Sequence, residues 1–523
     1  VTGRRQTLLV ALALLGVCTL VYWPSLRGEF VYDDHRFVAR NPAVQSIGNV
    51  VAFFTDPSTV DPDGNWEGIY RPLRSLSYAV DHAFFGTDPV GYRLHSLLLH
   101  VAASLALGRL LGKLLRRPRA GLALGFLYAV HPVHVESVAW ITSRADVMSG
   151  LVVFLALLTM RRFGHGSTLL GTVLIGVALL AKESAVVAPF IGLLLDLVLP
   201  AGRAPGVRRR ILRWLPSLVL VAAYLVLRQA VLDESAGQRP SWGEGLSPAA
   251  SMTVGLGWYV WRLTVPFGFR FDYQLPHDRS ILDLPVILIG AALLAGLVAV
   301  TVPMLRRRRS AVGAGVWWFL LALGPVSNVI VPINILVAER FLYLPAAGWM
   351  LALGGLAAAA TRRRPAWRWG WAGLAMIWFV FLSLTTVAFA RYWSREETLW
   401  EGVIAHSPDH FRGYHGLAKV RVAAGDYAAA RRLLKAAIVK EGTGRYAEPY
   451  YDLGRTYLLE GRDREAVSYL RRAVDVWRRS GATAKNRAYV ETLDSLLDYY
   501  RQSAQDDEAR RMQRWLDESR RAP

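Results

Sequence analysis

Asp33 and Asp34 stand side by side in Phe30-Val31-Tyr32-Asp33-Asp34, just beyond the first long apolar run. Carboxylates at the edge of an apolar segment are expensive to keep charged, because the water they lose is not replaced. The plain explanation is a solvated loop start. Against it, Phe30 and Tyr32 hold the pair close to the apolar surface. A single carboxylate base is enough to deprotonate a hydroxyl when the departing group is already a good one, such as a phosphate. A hydrolase needs a second group to protonate its departing alkoxide. The pair therefore fits a single displacement with inversion, in which a hydroxyl attacks a sugar carbon bonded to phosphate.

Other chemistry-bearing motifs recur along the chain. His131-Pro132-Val133-His134-Val135-Glu136 places two imidazoles three apart beside a carboxylate. This is not the helical His-Glu-x-x-His zinc spacing, and Pro132 interrupts any simple helix, so no metal is expected and a divalent ion is kept only as an alternative. His134 and Glu136 are candidates for orienting a base or an acceptor hydroxyl, with His131 beside them. Arg71 (in Tyr70-Arg71-Pro72-Leu73), Arg144 (before Asp146), Lys182 (before Glu183) and Arg340 (after Glu339) are cations for a lipid phosphate. The guanidinium fork suits phosphate because it donates two parallel hydrogen bonds. The rival readings are interfacial anchoring and, for Arg144 with Asp146 and Arg340 with Glu339, an internal ion pair. His95 and His100 read as packing residues.

The elements that must position these groups are membrane helices. The chain has 523 residues, 53% hydrophobic and 19% charged, with a mean hydropathy of +0.27. A span needs roughly 20 apolar residues, and apolar runs fall near 7–26, 94–112, 120–138, 145–160, 167–181, 184–200, 211–231, 283–305, 312–333, 341–360 and 368–390. The N-terminal run reads as a retained first span, being long and without a small-residue cleavage site. The single cysteine, Cys18, excludes a disulfide framework within one chain. The net charge of +21 is carried by short runs without acids, at Arg4-Arg5, Lys113 to Arg119, Arg161-Arg162, Arg203 to Arg213, Arg306 to Arg309 and Arg362 to Arg368. That is the positive-inside pattern, which sets topology and gives no reason to expect nucleic acid. The segment 249–267, rich in Trp and Tyr, reads as interfacial or re-entrant. Eleven spans then place the N-terminus in the cytoplasm and every chemistry-bearing motif on the outer face. A transporter would instead want polar groups near the bilayer midplane.

From about residue 391 the apolar runs stop. Tyr414-His415-Gly416-Leu417-Ala418 matches Tyr450-Tyr451-Asp452-Leu453-Gly454 at an offset of 36, and the same step takes Gly425 to Gly461, Ala430 to Ala466 and Ala437 to Ala473. Each unit reads as two amphipathic helices joined at the glycine, the tetratricopeptide pattern, with 484–518 a degenerate third hairpin. The expected division is a membrane domain over 1–390 and an extracytoplasmic repeat domain over 391–523. The repeats would hold a peptide or partner protein near the outer face.

Taken together, Tyr32-Asp33-Asp34 with Asn41-Pro42, Tyr70-Arg71-Pro72-Leu73, His131 through Trp140, Ser143-Arg144-Ala145-Asp146, Lys182-Glu183, and Ala338 through Pro345 resemble the transmembrane and tetratricopeptide-repeat O-mannosyltransferases. Arg391-Tyr392-Trp393-Ser394 leading into repeats fits as well. The resemblance implies an all-α GT-C membrane fold followed by a short repeat solenoid. It also implies a polyprenyl-phosphate sugar donor and transfer of a hexose, mannose the first choice, to a hydroxyl, expected on Ser or Thr of an exported protein. One member of the Asp33-Asp34 pair would be the base, with Asp33 favoured, and Arg340 would face the donor phosphate. Ser96 departs from the pattern, standing where relatives often show Asn. The Arg- and Ala-rich composition points to a bacterial inner membrane, with undecaprenyl phosphate as the carrier. The reading from a different class is a non-enzymatic scaffold that gathers envelope-assembly proteins on the repeats; a scaffold has no need of ionisable motifs collected on one face.

Overall fold

The computed structural model describes residues 2–60, 68–200, 205–232, 248–269, 271, 284–306, 310–328, 333, 335, 337–481 and 486–521. Every element among them is helical. Residues 203–204 and 307–309 of the basic runs lie outside the described residues. The described chain gathers into two compact units, one up to Ser394 and one from Arg395 onward.

In the first unit five described helical segments are long and apolar enough to cross a membrane: Arg5–Leu26, Pro89–Leu115, Ile141–Met160, Val207–Leu232 and Trp367–Trp393. A sixth is available if Pro118–Ala129 and Pro132–Ala139 count as one span. That pair is bent by 56°. The run 120–138, expected as a single span, is therefore two pieces. The cause is Pro132, which lacks the N–H a continuing helix needs and whose ring clashes with the preceding turn. Pro89 and Pro118 sit at the first position of their helices, where no intrahelical bond is lost. Between those two helices Arg116 adopts a left-handed conformation (φ 56°), closing the first helix before the second begins.

These two helices approach closely along facing small residues, Gly108 and Gly112 on one and Gly121 and Gly125 on the other. A methyl group at Gly125 would come within 2.8 Å of the Ser104 carbonyl oxygen, and one at Gly121 would strike the Gly112 backbone. Without a hydrophobic driving force between helices in lipid, such backbone proximity is what holds them together. Gly315 and Gly348 bring Ala311–Leu323 and Pro345–Arg363 together in the same way.

The helix Arg144–Met160 spans 17 residues, roughly 25 Å. Its first turn carries Arg144 and Asp146. At its far end Arg161 meets Asp196 (3.2 Å), which Arg213 (3.7 Å) and the Trp214 indole (2.9 Å) also approach. Mixed acids and bases thus occupy one end of this helix, and an arginine-rich cluster the other.

The second unit is a series of helical hairpins: Phe411–Ala423 with Tyr427–Glu441, Glu448–Leu459 with Asp463–Arg479, and Arg487–Gln502 with Asp506–Arg521. Ala430, Ala437, Ala466 and Ala473 are fully buried between them. Gly425 (φ +76°) and Gly461 (φ +71°) make the tight turns in the first two, conformations that side chains with a Cβ resist. His415 in the first hairpin reaches Asp452 in the second at 2.7 Å.

Candidate active site

The loop after the first helix is held by its own polar side chains. Asn41 is buried, donates to the carbonyls of Thr59 (3.0 Å) and Val60 (3.2 Å), and accepts from the Ala43 N–H (3.0 Å). Asp34 is fully buried. Its Oδ1 accepts from both the N–H (2.8 Å) and the hydroxyl (2.7 Å) of Thr142, and its Oδ2 from the Val31 N–H (3.3 Å). Burial raises the Asp34 carboxyl above its ordinary value, against the pull of these donors and of Arg93. Asp34 therefore ties its loop to the segment 141–143.

Asp33, one residue earlier, is only half-buried. Its carbonyl accepts from the Arg36 (3.1 Å) and Phe37 (2.9 Å) N–H groups, opening the π-turn His35–Ala39. Tyr32 before it has φ 53°, a strained conformation for an aromatic residue. Its ring packs on Trp140 (5.9 Å) and Phe271 (4.9 Å).

The segment 136–146 is the hub of the cluster. Glu136, fully buried, accepts the Arg340 N–H (2.9 Å) and pairs with the Arg340 guanidinium. Arg340 in turn lies over the rings of Trp140 (5.3 Å) and Phe341 (5.2 Å). Arg144 pairs with Asp81 (2.5 Å) and donates to Ser96 Oγ (2.9 Å), Ser77 Oγ (3.2 Å) and the Tyr92 carbonyl (2.6 Å). Asp81 also meets His95 Nδ1 at 2.6 Å. Asp146 takes Lys182 (2.6 Å). Glu183 takes Arg71 through two bonds, 3.0 Å to Nε and 2.5 Å to Nη2. Tyr78 closes the set by donating to the Ile141 carbonyl (3.0 Å).

Ion pairs of the expected kind are thus present with different partners. The acid of Arg144 is Asp81, that of Arg340 is Glu136, and the cation of Asp146 is Lys182. Ser96, the departure from the family pattern, is an acceptor for Arg144. Burial pulls the Lys182 ammonium below its ordinary 10.5, with Asp146 opposing. Burial would raise Glu183, but the Arg71 guanidinium outweighs it and holds that carboxyl well below 4.5.

His131 and His134 are fully buried behind this cluster. His131 caps the short turn Pro132–His134 by accepting from the Val133 N–H (3.3 Å), and its Nε2 lies 3.3 Å from the Leu263 carbonyl. The His134 ring packs on Tyr128 (4.1 Å), Tyr343 (4.9 Å) and His100 (5.5 Å). Neither of its nitrogens has a hydrogen-bond partner among the described residues. His100 is bonded to the Tyr343 hydroxyl (2.9 Å) and the Ala129 carbonyl (3.0 Å). A small cavity opens beside Asp146, Lys182, Ser184 and Tyr343. Among the described residues no group of three or more His, Cys, Asp or Glu side chains is arranged to hold a metal ion.

Sequence reading missed Arg74. It is 1% exposed, lies over the rings of Phe37 (5.1 Å) and Tyr78 (5.9 Å), and has no carboxylate partner among the described residues. Burial pulls its guanidinium below the ordinary value; the charges felt there are those of Arg71, Glu183 and Asp33. The signal available beforehand was its spacing, one helical turn after Arg71.

Curated proteins similar to this chain are protein O-mannosyltransferases. A stretch of 190 residues is 34% identical to protein O-mannosyl-transferase Tmtc1 of Drosophila melanogaster, covering 35% of this chain and 22% of that protein. Over 482 residues the chain is 26% identical to protein O-mannosyl-transferase TMTC4 of Homo sapiens, covering 80% of this chain and 64% of that protein. Protein O-mannosyl-transferase F38B6.6 of Caenorhabditis elegans is 25% identical over 366 residues, 67% of this chain and 51% of that protein. The chain thus spans less than two thirds of each of these relatives. No family model and no solved structure matches it. The resemblance carried by the motifs and the homology found over most of the chain point to the same proteins.

Proposed function

We propose that this chain is a multi-pass membrane glycosyltransferase of the GT-C type that transfers a hexose, mannose the first choice, from a polyprenyl-phosphate donor to a Ser or Thr hydroxyl of an exported protein. The observation that carries the reading is the unequal burial of the two aspartates. Asp34 is spent on the fold by its bonds to Thr142 and Val31, and Asp33 is presented half-exposed on the strained loop it fixes. In the proposed step Asp33 takes the acceptor proton, and the hydroxyl oxygen bonds to the anomeric carbon from the face opposite the phosphate. The carbon–oxygen bond to phosphate breaks and its electron pair leaves with the lipid phosphate, so the configuration inverts. Glu136 and Arg340 set the wall behind Trp140, and His131 and His134 buttress it. Arg144 with Asp81 positions the helix that carries Asp146. Arg71, Glu183, Asp146 and Lys182 line the approach of the phosphate.

About eleven spans, with the N-terminus in the cytoplasm and the hairpin unit outside as a tetratricopeptide solenoid that presents acceptor, complete the proposal; a bacterial inner membrane and undecaprenyl phosphate are part of it. Support comes from the apolar helices, the small-residue helix contacts and the names of the homologues. The test is sugar transfer by purified protein in liposomes, using radiolabelled polyprenyl-phosphate mannose, a pool of exported proteins and an Asp33→Asn/Asp34→Asn control. Label reaching protein only with the wild type supports the reading. Silence across a panel of lipid-linked sugars, with and without divalent metal, overturns it in favour of a scaffold.

A further inference from the structure

Four cations of the cluster each face a carboxylate: Arg71 has Glu183, Arg144 has Asp81, Lys182 has Asp146 and Arg340 has Glu136. Arg74 differs from these, and from Arg93, which is met by the Ser25 and Glu29 carbonyls. It is as buried as Arg144, yet among the described residues it makes no side-chain hydrogen bond or ion pair, and its Nε is shielded from solvent without a partner. An ionised group kept largely out of water without a counter-charge is strongly disfavoured, and an anion from outside the chain would relieve that cost. The two ring faces beneath it, Phe37 and Tyr78, offset only part of that cost. Lysine or arginine mismatches on a surface mean little; a buried one beside four matched pairs is a place for an anion from outside the chain.

The surroundings say what kind of anion. The four neighbouring cations named above already have carboxylates, so Arg74 is the group left to meet an anion from outside, and a phosphodiester carries one negative charge. The planar fork of a guanidinium meets two phosphate oxygens at once. Arg74 sits one turn beyond Arg71 at the start of the helix Pro72–Phe85, so the two guanidinium groups lie on neighbouring turns of one face. The Asp33 carboxylate is among the charges that act on Arg74. An anion held there lies within the field of the proposed base.

We propose that Arg74 binds the phosphodiester of the lipid-linked sugar donor, an assignment that rests on the function proposed above. The measurement is direct binding by the purified full chain in detergent, followed by native mass spectrometry, with undecaprenyl-phosphate mannose, undecaprenyl phosphate, undecaprenol and inorganic phosphate as probes. Wild type should bind undecaprenyl phosphate and discriminate it from undecaprenol. Arg74→Gln should weaken the phosphate lipid about 10- to 100-fold, the range for losing a charge-assisted hydrogen-bonding group, and Arg74→Lys should recover part of it. Ligand-free thermal unfolding of Arg74→Gln should occur no lower than wild type, because the substitution removes an unmatched buried charge; a merely structural arginine would lower it.

Unchanged binding by Arg74→Gln overturns the proposal, as does a wild type that binds phosphate lipid and alcohol equally. Arg74-dependent binding of inorganic phosphate without binding of the lipid overturns the lipid source. The two readings fail separately. Sugar transfer with an unaltered donor KM in Arg74→Gln sinks this assignment and leaves the enzyme standing. Arg74-dependent lipid binding with no transfer of any sugar does the reverse.

Discussion

The two aspartates should separate stability from turnover. In Asp34→Asn the amide oxygen can keep the Thr142 N–H and hydroxyl, 2.8 and 2.7 Å from Oδ1. The amide nitrogen must then face the Val31 N–H, where Oδ2 now accepts at 3.3 Å, so a bond is lost and two donors oppose each other. Leaving a buried donor unsatisfied costs about 1–3 kcal/mol. The carboxylate's charge assistance to Thr142 is lost as well, so the upper half of that range is expected. Asp33→Asn changes a half-buried side chain without touching those bonds, and should unfold close to wild type. If Asp33 is the base, its transfer rate falls about 10²- to 10⁴-fold, whereas Asp34→Asn loses activity only in proportion to misfolded protein. The assay is thermal unfolding in detergent beside initial transfer rates normalised to folded protein. A stable but inactive Asp34→Asn, together with an active Asp33→Asn, would refute the division of roles.

Other outcomes follow from the same packing. Arg144→Met leaves Asp81 buried with His95 as its remaining partner, and should destabilise by less than the roughly 3–5 kcal/mol of a wholly unpaired buried charge; adding Asp81→Leu should restore part of the loss, read by thermal unfolding and by detergent-solubilised yield. The Glu183 carboxyl is held well below 4.5 by Arg71, against burial. The unfolded chain therefore takes up the proton first on acidification. The contribution of the pair is whole above about pH 4.5 and drains away as the pH falls below it, and Glu183→Gln should flatten that acid limb of the unfolding temperature. Gly121→Leu drives a side chain into the Gly112 backbone and should cost about 1–3 kcal/mol by overpacking; a shift in donor KM as well would show that this seam also sets the position of Glu136.

What could be read from the chain and what could not divides along a physical line. Local chemistry was legible: the Asp33-Asp34 pair, the Pro132 interruption and the turn glycines Gly425 and Gly461 each act through neighbours in sequence. Partner choice was not. Arg144 and Asp146 are two apart on a helix, a separation that points side chains to opposite faces, so their closeness in sequence argued for a pair that helical geometry forbids. The actual partners are distant: Lys182 lies 36 residues from Asp146, Glu183 112 from Arg71 and Arg340 204 from Glu136. Hydropathy likewise sums composition without direction, so 120–138 read as one rod although Pro132 turns it by 56°. That bend places Glu136 beside Arg340 and not farther along a straight helix. Arg74 escaped notice for the complementary reason. Its spacing, one helical turn after Arg71, singles it out only once the carboxylate partners of Arg71, Arg144, Lys182 and Arg340 have been assigned. A cluster closed by matched pairs has little freedom to reorganise, so a group left over inside it is the place where an external charge changes the energy most. By that reasoning the unmatched guanidinium, more than any of the paired ones, is where donor binding should be felt.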